Sequence, residues 1–217
     1  MLIVGAEDAH TGTTPFESRA DALLLASRLI IHSHRLATEH NALASTGIIT
    51  AKPGSVNTVP GEVILSLDIR APSDATLDAL EASMRQTFAA LAAGRDVDDR
   101  APPGGLLPGL PLTVTWKTDS ISPATSFHPE CIATVRKSAA SVLGTPDLAR
   151  DMTSGAGHDS VYTSRHCPTS MIFVPSRNGI SHNPEEYTSP EDCALGAEVL
   201  CQAVVRYDQL RAQKSSA

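Results

Sequence analysis

Apolar and polar positions along the first 120 residues follow two periods, one typical of strands and one typical of helices. Residues 62–70 have the period of two that predicts a half-buried strand, and Ile64 departs from it. Shorter apolar runs predict further strands at residues 2–6, 47–51 and 112–116. The side chains expected on the buried side of the longest strand are Val63, Leu65, Leu67 and Ile69.

Two helices are predicted among these strands. The first covers residues 17–39, where apolar side chains recur at helical spacing. The second begins at Ser73 and Asp74, which are typical N-cap residues, and carries an apolar stripe. That stripe consists of Leu77, Leu80, Met84, Phe88 and Leu91. The order of elements predicts an α+β domain with a four-stranded antiparallel sheet covered on one face by two helices. A loop rich in proline and glycine is predicted at residues 100–111.

The second half of the chain has a different pattern. Helices are predicted at residues 129–143 and from Pro190 to about residue 210, with a frayed tail at residues 212–217. Between them, residues 170–175 predict a buried strand. A buried strand between helices is typical of a parallel α/β sheet, but one strand cannot form a sheet. We therefore expect residues 127–217 to need partner strands from elsewhere.

Composition narrows the class of protein. The 217 residues are 41% hydrophobic and 19% charged, which is typical of a folded globular protein, and the net charge is -7. This acidic balance argues against a nucleic-acid partner, and no apolar run approaches the roughly 20 residues of a membrane span. The start lacks the features of a secretory signal. The four cysteines form no CxxC pair and are expected to be reduced packing residues of a cytoplasmic protein.

Two of the eight histidines lie in segments suited to chemistry. His158 follows a glycine-rich turn at residues 154–157, where backbone amides can face a ligand, although a tight strand-to-helix connection explains this pattern equally well. His182 lies in a polar loop beside Glu185 and Glu186, which suits metal coordination or acid–base chemistry. One histidine is not a metal site, because zinc takes three or four ligands.

Several other chemistries are not expected from this sequence. It contains no GxSxG nucleophile elbow, Walker A loop or GxGxxG fingerprint, and Pro184 prevents an HExxH-type helical cluster around His182. A serine hydrolase is therefore not expected. The histidines of the first predicted helix are expected on its solvated face, and they are His32, His34 and His40.

Four segments taken together resemble the hydantoinase/carbamoylase family of amidohydrolases, which has the zinc-exopeptidase, aminoacylase-like fold. Each motif is weak alone, but their order and spacing extend over nearly the whole chain. They are AHTGTTP at residues 9–15 with Arg19 and Asp21, NTVPGEV at 57–63 running into DIR at 68–70, SGAGHD at 154–159, and GISHNPEE at 179–186.

The resemblance implies a domain organisation. Residues 1–125 resemble the small α+β dimerisation domain of this family, so a homodimer is expected. Residues 126–217 resemble the C-terminal portion of its α/β zinc-exopeptidase-like catalytic domain, whose upstream half would precede residue 1. The implied substrates are N-carbamoyl or ureido acids and linear amides, with no nucleic-acid or membrane partner.

The resemblance also assigns roles to single residues. Asn57 and Arg70 match the substrate-binding pair, with Arg70 expected to hold the substrate carboxylate. His10 matches a substrate-binding histidine supplied across the dimer interface. Gly157 and His158 match groups that hold the scissile amide, and His158 is the expected catalytic residue. From the residues alone, a solvated strand end for Arg70 and a turn cap for His10 are the favoured explanations.

The metal chemistry implied by the family is incomplete in this chain. Family members use a pair of divalent ions, such as zinc, manganese, cobalt or nickel, and His182 matches one metal ligand. The other ligands and the glutamate general base have no counterpart here. We therefore expect the chain to be inactive alone, either as part of an enzyme or as a truncated product. A non-catalytic dimerisation module and a related aminoacylase or metallopeptidase are the alternatives.

Overall fold

The computed structural model describes residues 1–95 and 109–215 and divides the chain into two compact units, residues 1–124 and 125–217. Most of the loop predicted at residues 100–111 lies outside the described residues. The described residues form eight strands: β1 (Leu2–Gly5), β2 (Ala9–His10), β3 (Leu43–Ser45), β4 (Ile49–Lys52), β5 (Thr58–Val59), β6 (Glu62–Leu65), β7 (Asp68–Arg70) and β8 (Thr113–Trp116). They also form five α-helices: α1 (Ala22–Glu39), α2 (Asp74–Ala92), α3 (Pro129–Leu143), α4 (Asp159–Thr163) and α5 (Pro190–Ser215).

The first unit contains the antiparallel four-stranded sheet and the two helices that the sequence predicts. The strand order is β4-β6-β1-β8, and β1 pairs with β6 on one side and with β8 on the other. Alternate side chains of β1 and β6 are buried, as the period of two requires. Helix α1 packs on β1 and β6, and α2 packs on α1 and β8. The sheet is thus covered on one face.

Helix α2 forms as predicted because its cap and its apolar stripe agree. The Ser73 hydroxyl accepts a hydrogen bond from the amide of Thr76 at 3.1 Å, which satisfies an N–H group that the helix itself leaves without a partner. Four stripe residues are fully buried, and Phe88 stacks on Trp116 with ring centroids 5.5 Å apart. The four are Leu80, Met84, Phe88 and Leu91.

Helix α1 begins later than predicted, at Ala22 instead of residue 17. Residues 16–18 form a separate 3-10 turn, and Asp21 is extended and accepts the Leu24 amide at 2.9 Å as the true N-cap. The expectation for His32 is also wrong, since this side chain is only 4% exposed on the inner face of α1. The helical period alone could not show where α1 begins or which of its faces is buried, because apolar residues occur all round the helix.

The strand predicted over residues 62–70 is two strands. Strand β6 belongs to the main sheet, whereas β7 pairs with β3, a strand that the apolar pattern did not reveal. The break falls at Ser66, whose hydroxyl accepts the amides of Gly47 at 3.1 Å and Ile48 at 3.0 Å. Strands β3 and β7 therefore pair with each other outside the main sheet.

The second unit buries far less apolar surface. Helices α3 and α5 pack against each other, but their buried side chains are small or short. The prediction of a buried strand at residues 170–175 is wrong for this structure: the segment joins no ladder among the described residues, and Phe173 and Val174 are exposed. Residues 125–215 form no strand in this structure that could pair with it. The buried residues of α3 and α5 are Cys131, Thr134, Ser138, Ala139, Val199 and Ala203.

Helix α5 continues to Ser215, so residues 212–215, which were predicted to fray, are helical. The Lys214 ammonium donates to both carboxylate oxygens of Glu130 at 2.7 and 2.9 Å and so ties the last turn to α3. All four cysteines are free thiols, but three are exposed, so only Cys131 is a packing residue. Within the described ranges, none of the helices combines the length and the apolar character needed to cross a membrane.

We expect Phe88→Ala to lower the free energy of unfolding of the first unit by about 3–5 kcal/mol, because it leaves a cavity under Trp116. Trp116 is the only tryptophan, so its fluorescence in a urea titration reports on this unit. Val56→Ala is the matched control, since Val56 is fully exposed, and it should change stability by less than about 0.5 kcal/mol. Equal effects of the two substitutions would contradict this account of the core.

Candidate functional site

A two-stranded ribbon brings two of the predicted site residues together. Strands β2 and β5 pair so that His10 lies opposite Thr58, and the Thr11 amide donates to the Asn57 carbonyl at 2.9 Å. His10 and Asn57 are both exposed at this end of the ribbon. The Oδ1 atom of Asn57 accepts the Ser55 hydroxyl at 2.7 Å, so the side chain offers its NH2 group to a ligand.

The ribbon continues the pairing of β1 with β6 beyond a one-residue bulge. Gly5 lies opposite Glu62, the Ala6 amide donates to the Gly61 carbonyl at 2.6 Å, and pairing resumes with Ala9 opposite Val59. The first strand thus has one more residue than the second over this stretch, which is the definition of a bulge. The site end of the ribbon is therefore positioned by the main sheet.

Gly61 is required at this bulge. Its amide donates to the Asp8 carboxylate at 2.7 Å, and a Cβ at this position would lie 2.6 Å from the same oxygen and 2.7 Å from the Asp8 amide nitrogen. A side chain would therefore displace the backbone of the neighbouring strand. The sequence motif contained this glycine, but only the structure gives the reason for it.

Arg19 holds the loop that follows His10. Its guanidinium donates to the carbonyls of Thr11 at 2.5 Å and Thr14 at 2.7 Å, and it lies over the Phe16 ring, 4.7 Å from the centroid. Backbone carbonyls of a loop are satisfied here by a side chain instead of by a ladder. His10 also contributes, because its Nδ1 accepts the Gly12 amide at 3.1 Å. The turn-cap explanation for His10 is thus correct, and it uses only one of the two ring nitrogens.

Arg70 lies in a different ribbon, at the end of β7 opposite Leu43. Its guanidinium makes a two-point contact with the Asp68 carboxylate, with distances of 3.1 and 2.7 Å. The hydrogen bond from Arg70, together with its charge, lowers the pKa of Asp68, and the same contact raises the pKa of Arg70. A ligand carboxylate at Arg70 would have to exchange with Asp68 or use the remaining N–H groups.

In the second unit, His158 is the N-cap of α4. Its Nδ1 accepts the Ser160 amide at 3.0 Å and lies 2.9 Å from the Ser160 hydroxyl. His158 and Ser160 line an open cleft of about 480 Å³ between residues 170–174 and helices α3 and α5. Gly157 is exposed, and no atom lies within 4 Å of the position that a Cβ would take.

His182 lies in a loop whose two ends, Arg177 and Tyr187, contact each other. The Arg177 amide donates to the Tyr187 carbonyl at 2.8 Å, and the Arg177 side chain lies over the Tyr187 ring. His182 has a positive φ of 56°, which is uncommon for a residue with a side chain, and its amide donates to the Glu186 carboxylate at 3.0 Å. A non-glycine residue in this conformation is often found at functional sites.

The described residues do not assemble a metal site on their own. Across residues 1–95 and 109–215, no group of three or more His, Cys, Asp or Glu side chains is arranged to hold an ion. The sequence placed Glu186 beside His182 as a possible ligand, but its carboxylate accepts the backbone amide of His182 instead. The donor set present therefore does not fit a metal ion.

The six predicted site residues are all exposed, and the structure brings only some of them together. His10 and Asn57 share the β2–β5 ribbon, Arg70 pairs with Asp68, and the remaining three lie in the second unit. Sequence reasoning assigned no role to Arg19, Asp68 or Ser160, which hold these groups in place.

Comparison with known proteins places this chain in a family. Residues 3–206 match the model of "Peptidase family M20/M25/M40". The chain therefore belongs to the M20/M25/M40 peptidase family. The resemblance to hydantoinase/carbamoylase amidohydrolases is also confirmed, as the relatives below show.

Named relatives within this family are amidohydrolases. The chain is 32% identical over 215 residues to the N-carbamoyl-L-amino-acid amidohydrolase of Paenarthrobacter aurescens, covering 96% of this chain and 47% of that protein. It is 32% identical over 206 residues to the allantoate amidohydrolase of Escherichia coli (strain K12), covering 92% and 44%. The crystal structure of a hydantoinase/carbamoylase family amidase from Burkholderia vietnamiensis superposes with a TM-score of 0.80 at 35% identity, covering 93% and 45%. The chain thus spans less than half the length of these relatives.

The stabilisation that the Asp68–Arg70 pair gives to the fold should depend on pH. Because the folded-state pKa of Asp68 lies below its ordinary value, the pair stabilises the fold above the unfolded-state pKa, and this stabilisation is lost as pH falls through the folded-state pKa. Arg70→Ala should raise the pKa of Asp68 toward its ordinary value. Because both side chains are about half exposed, it should cost at most about 1 kcal/mol at neutral pH.

The measurement is an NMR titration of the Asp68 carboxyl carbon in the wild type and in Arg70→Ala. Arg70→Lys is the matched control, because it keeps the charge and removes the two-point fork, and it should give an intermediate pKa. An Asp68 pKa that does not change in Arg70→Ala would contradict the pairing.

Proposed function

We propose that this chain carries the substrate-recognition residues and one metal ligand of a hydrolase that acts on carbon–nitrogen bonds other than peptide bonds. The substrates we propose are N-carbamoyl amino acids, ureido acids and related linear amides. One observation carries the proposal: the family match over residues 3–206 includes all six candidate residues, and the named relatives are amidohydrolases.

The chemistry of the first unit suits recognition of a small acid. Arg70 offers a planar fork for a carboxylate, and the contact that it makes with Asp68 has the geometry that such a ligand would take. Asn57 offers an NH2 donor, and His10 stands beside it on the ribbon. We propose that Arg70 binds the substrate carboxylate, that Asn57 donates to another group of the substrate, and that His10, supplied across a dimer interface, contacts a substrate oxygen.

The chemistry of the second unit suits the scissile amide. His158 is exposed at the start of α4 and lines the cleft, and a neutral imidazole can donate to an oxygen that becomes negative as a carbonyl is attacked. Gly157 leaves open space beside it. We propose that these two residues hold the amide or ureido group, and that His158 is the catalytic residue among the described side chains.

The proposed hydrolysis needs groups that the described residues do not supply. A divalent ion would polarise the carbonyl and activate water when bound. His182 is the single ligand that we propose from this chain, and one histidine does not fit a metal site. We therefore assign no hydrolytic step to these 217 residues alone, and we propose that further polypeptide provides the remaining ligands.

A second candidate function is that of a dimerisation module, and the exposed apolar side chains of the first unit favour it. Leu24 and Ile31 lie one heptad apart on the outer side of α1 and are 40% and 66% exposed. Strand β4 is at the edge of the main sheet, with Ile49 exposed. An uncovered edge strand and an exposed apolar helix face are each a common basis for self-association. We propose that a second copy of this chain covers both, as in a symmetric dimer.

The catalytic proposal predicts activity only after complementation. The chain alone, supplied with zinc or manganese, should not release ammonia from an N-carbamoyl-L-amino acid. Adding, as a second polypeptide, the part of a relative that this chain does not match should restore turnover. His158→Ala should lower the restored kcat by about 100–1000-fold, the usual cost of removing one oxyanion donor.

His166→Ala is the matched control for that experiment, because His166 is exposed on the same unit and has no proposed role, and it should leave kcat unchanged. Absence of turnover with both polypeptides present and folded would contradict the proposal. Turnover of a dipeptide or an N-acetyl amino acid instead would favour a metallopeptidase or an aminoacylase.

The dimer proposal predicts the mass of the chain in solution. Sedimentation equilibrium of the wild-type chain should give the mass of a dimer, and Ile31→Glu should weaken association at least about tenfold, because it places a charge in an apolar contact. Val56→Glu is the control, since Val56 is fully exposed on a different segment, and it should stay dimeric. A wild-type chain that is monomeric at tens of micromolar would rule out this surface as an interface.

A further inference from the structure

Two histidines in separate units share one local arrangement. The Nδ1 atom of His10 accepts the backbone amide of Gly12 at 3.1 Å, and the Nδ1 atom of His158 accepts the backbone amide of Ser160 at 3.0 Å. In both cases the donor is two residues after the histidine, and both side chains are exposed. The two contacts lie in unrelated elements, a turn after a strand and the first turn of a helix.

The donor in each contact is a backbone N–H group, which cannot accept a hydrogen bond. The imidazole Nδ1 must therefore be the acceptor, and a nitrogen that accepts carries no proton. A neutral imidazole has one protonated nitrogen, so in both rings the proton is on Nε2. A doubly protonated ring could not make either contact.

We propose that His10 and His158 are both held as the Nε2–H tautomer and present a hydrogen-bond donor to an oxygen of the ligand, with Gly12 and Ser160 as positioning residues that act through their backbone amides. This inference rests on the proposed function for the identity of the ligand, a carbonyl or carboxylate of an acid amide. It adds that neither neutral ring can act as a general base or a metal ligand through Nε2.

The surroundings make each contact a fixed feature of its turn. The Ser160 amide is in the first turn of α4, where N–H groups have no partner within the helix, so the ring satisfies a donor that needs an acceptor. The Gly12 amide is in the loop that Arg19 holds by its contacts with Thr11 and Thr14. Release of either ring would leave a loop or helix amide without its acceptor.

The Ser160 hydroxyl is a second neighbour of His158 Nδ1, at 2.9 Å, and it can serve as a donor or as an acceptor. If it accepted a hydrogen bond from Nδ1–H, the amide contact would be lost, because Nδ1 would then be a donor. The amide and the hydroxyl thus favour opposite tautomers unless the hydroxyl also donates. Because the backbone N–H group can only donate, its contact decides the tautomer of His158: Nδ1 accepts, and the proton is on Nε2.

The test is a long-range nitrogen–proton correlation NMR spectrum of the full chain labelled with 15N-histidine, recorded at a pH where the rings are neutral. For His10 and His158 we expect Nδ1 at the shift of an unprotonated nitrogen and Nε2 at the shift of a protonated one. His166 is the reference within the same molecule, since its exposed ring should average over both tautomers. A protonated Nδ1 in either proposed ring would overturn the assignment for that ring.

Two variants separate the amide from the hydroxyl. Ser160→Ala keeps the backbone N–H group, so His158 should stay in the Nε2–H form, and a mixture of tautomers in this variant would overturn the role of the amide. In His158→Ala the Ser160 amide loses its acceptor, and its hydrogen exchange should accelerate about fivefold, the factor for one ordinary hydrogen bond. Unchanged exchange would contradict the contact.

These measurements need neither substrate nor turnover. A chain in which both rings are in the Nε2–H form but which gains no activity on complementation would refute the proposed function and leave this inference intact. A chain that gains activity with His158 in the Nδ1–H form would do the reverse.

Discussion

The structure depends on burial of one face of the sheet around β1. This strand lies between β6 and β8, and its Leu2 and Val4 side chains are fully buried with the apolar stripes of α1 and α2. Because β1 and β6 continue beyond the bulge as β2 and β5, the same pairing that closes the core also sets the position of His10 and Asn57. Packing in the core thus determines where these two exposed side chains lie.

The second unit has the opposite character. It buries small side chains between α3 and α5, while Phe173, Leu200, Val204 and other large apolar side chains remain about half exposed. Exposed apolar surface of this kind usually marks a contact with further structure. The relatives are more than twice as long as this chain, which agrees with a second unit that is completed by other parts of the fold. The contacts that hold His158 and His182 come from residues within four positions of each in the chain.

Sequence reasoning succeeded where one local signal dominated. The Ser73 cap and the stripe through Phe88 defined α2, because cap, period and burial all agree there. It failed where partners distant in sequence decide the outcome: Ser66 divides residues 62–70 between two sheets, and residues 170–175 have no described strand to pair with. His158 and His182 were singled out by their local sequence, whereas His10, Asn57 and Arg70 were found only by resemblance, since nothing in local spacing distinguishes His10 from an ordinary turn cap. The contacts that hold them, from Arg19, Asp68 and Ser160, are geometric facts that require the folded chain.

The most direct test of this account is hydrogen–deuterium exchange of the intact chain, measured peptide by peptide under native conditions. Amides of β1, β6 and α2 should exchange only through global unfolding of the first unit, because they enclose its core. Amides of α5 and residues 170–175 should exchange at least about a hundredfold faster, because few large side chains cover them. Protection of the second unit equal to that of the first would contradict our proposal that the second unit, unlike the first, is completed by further polypeptide.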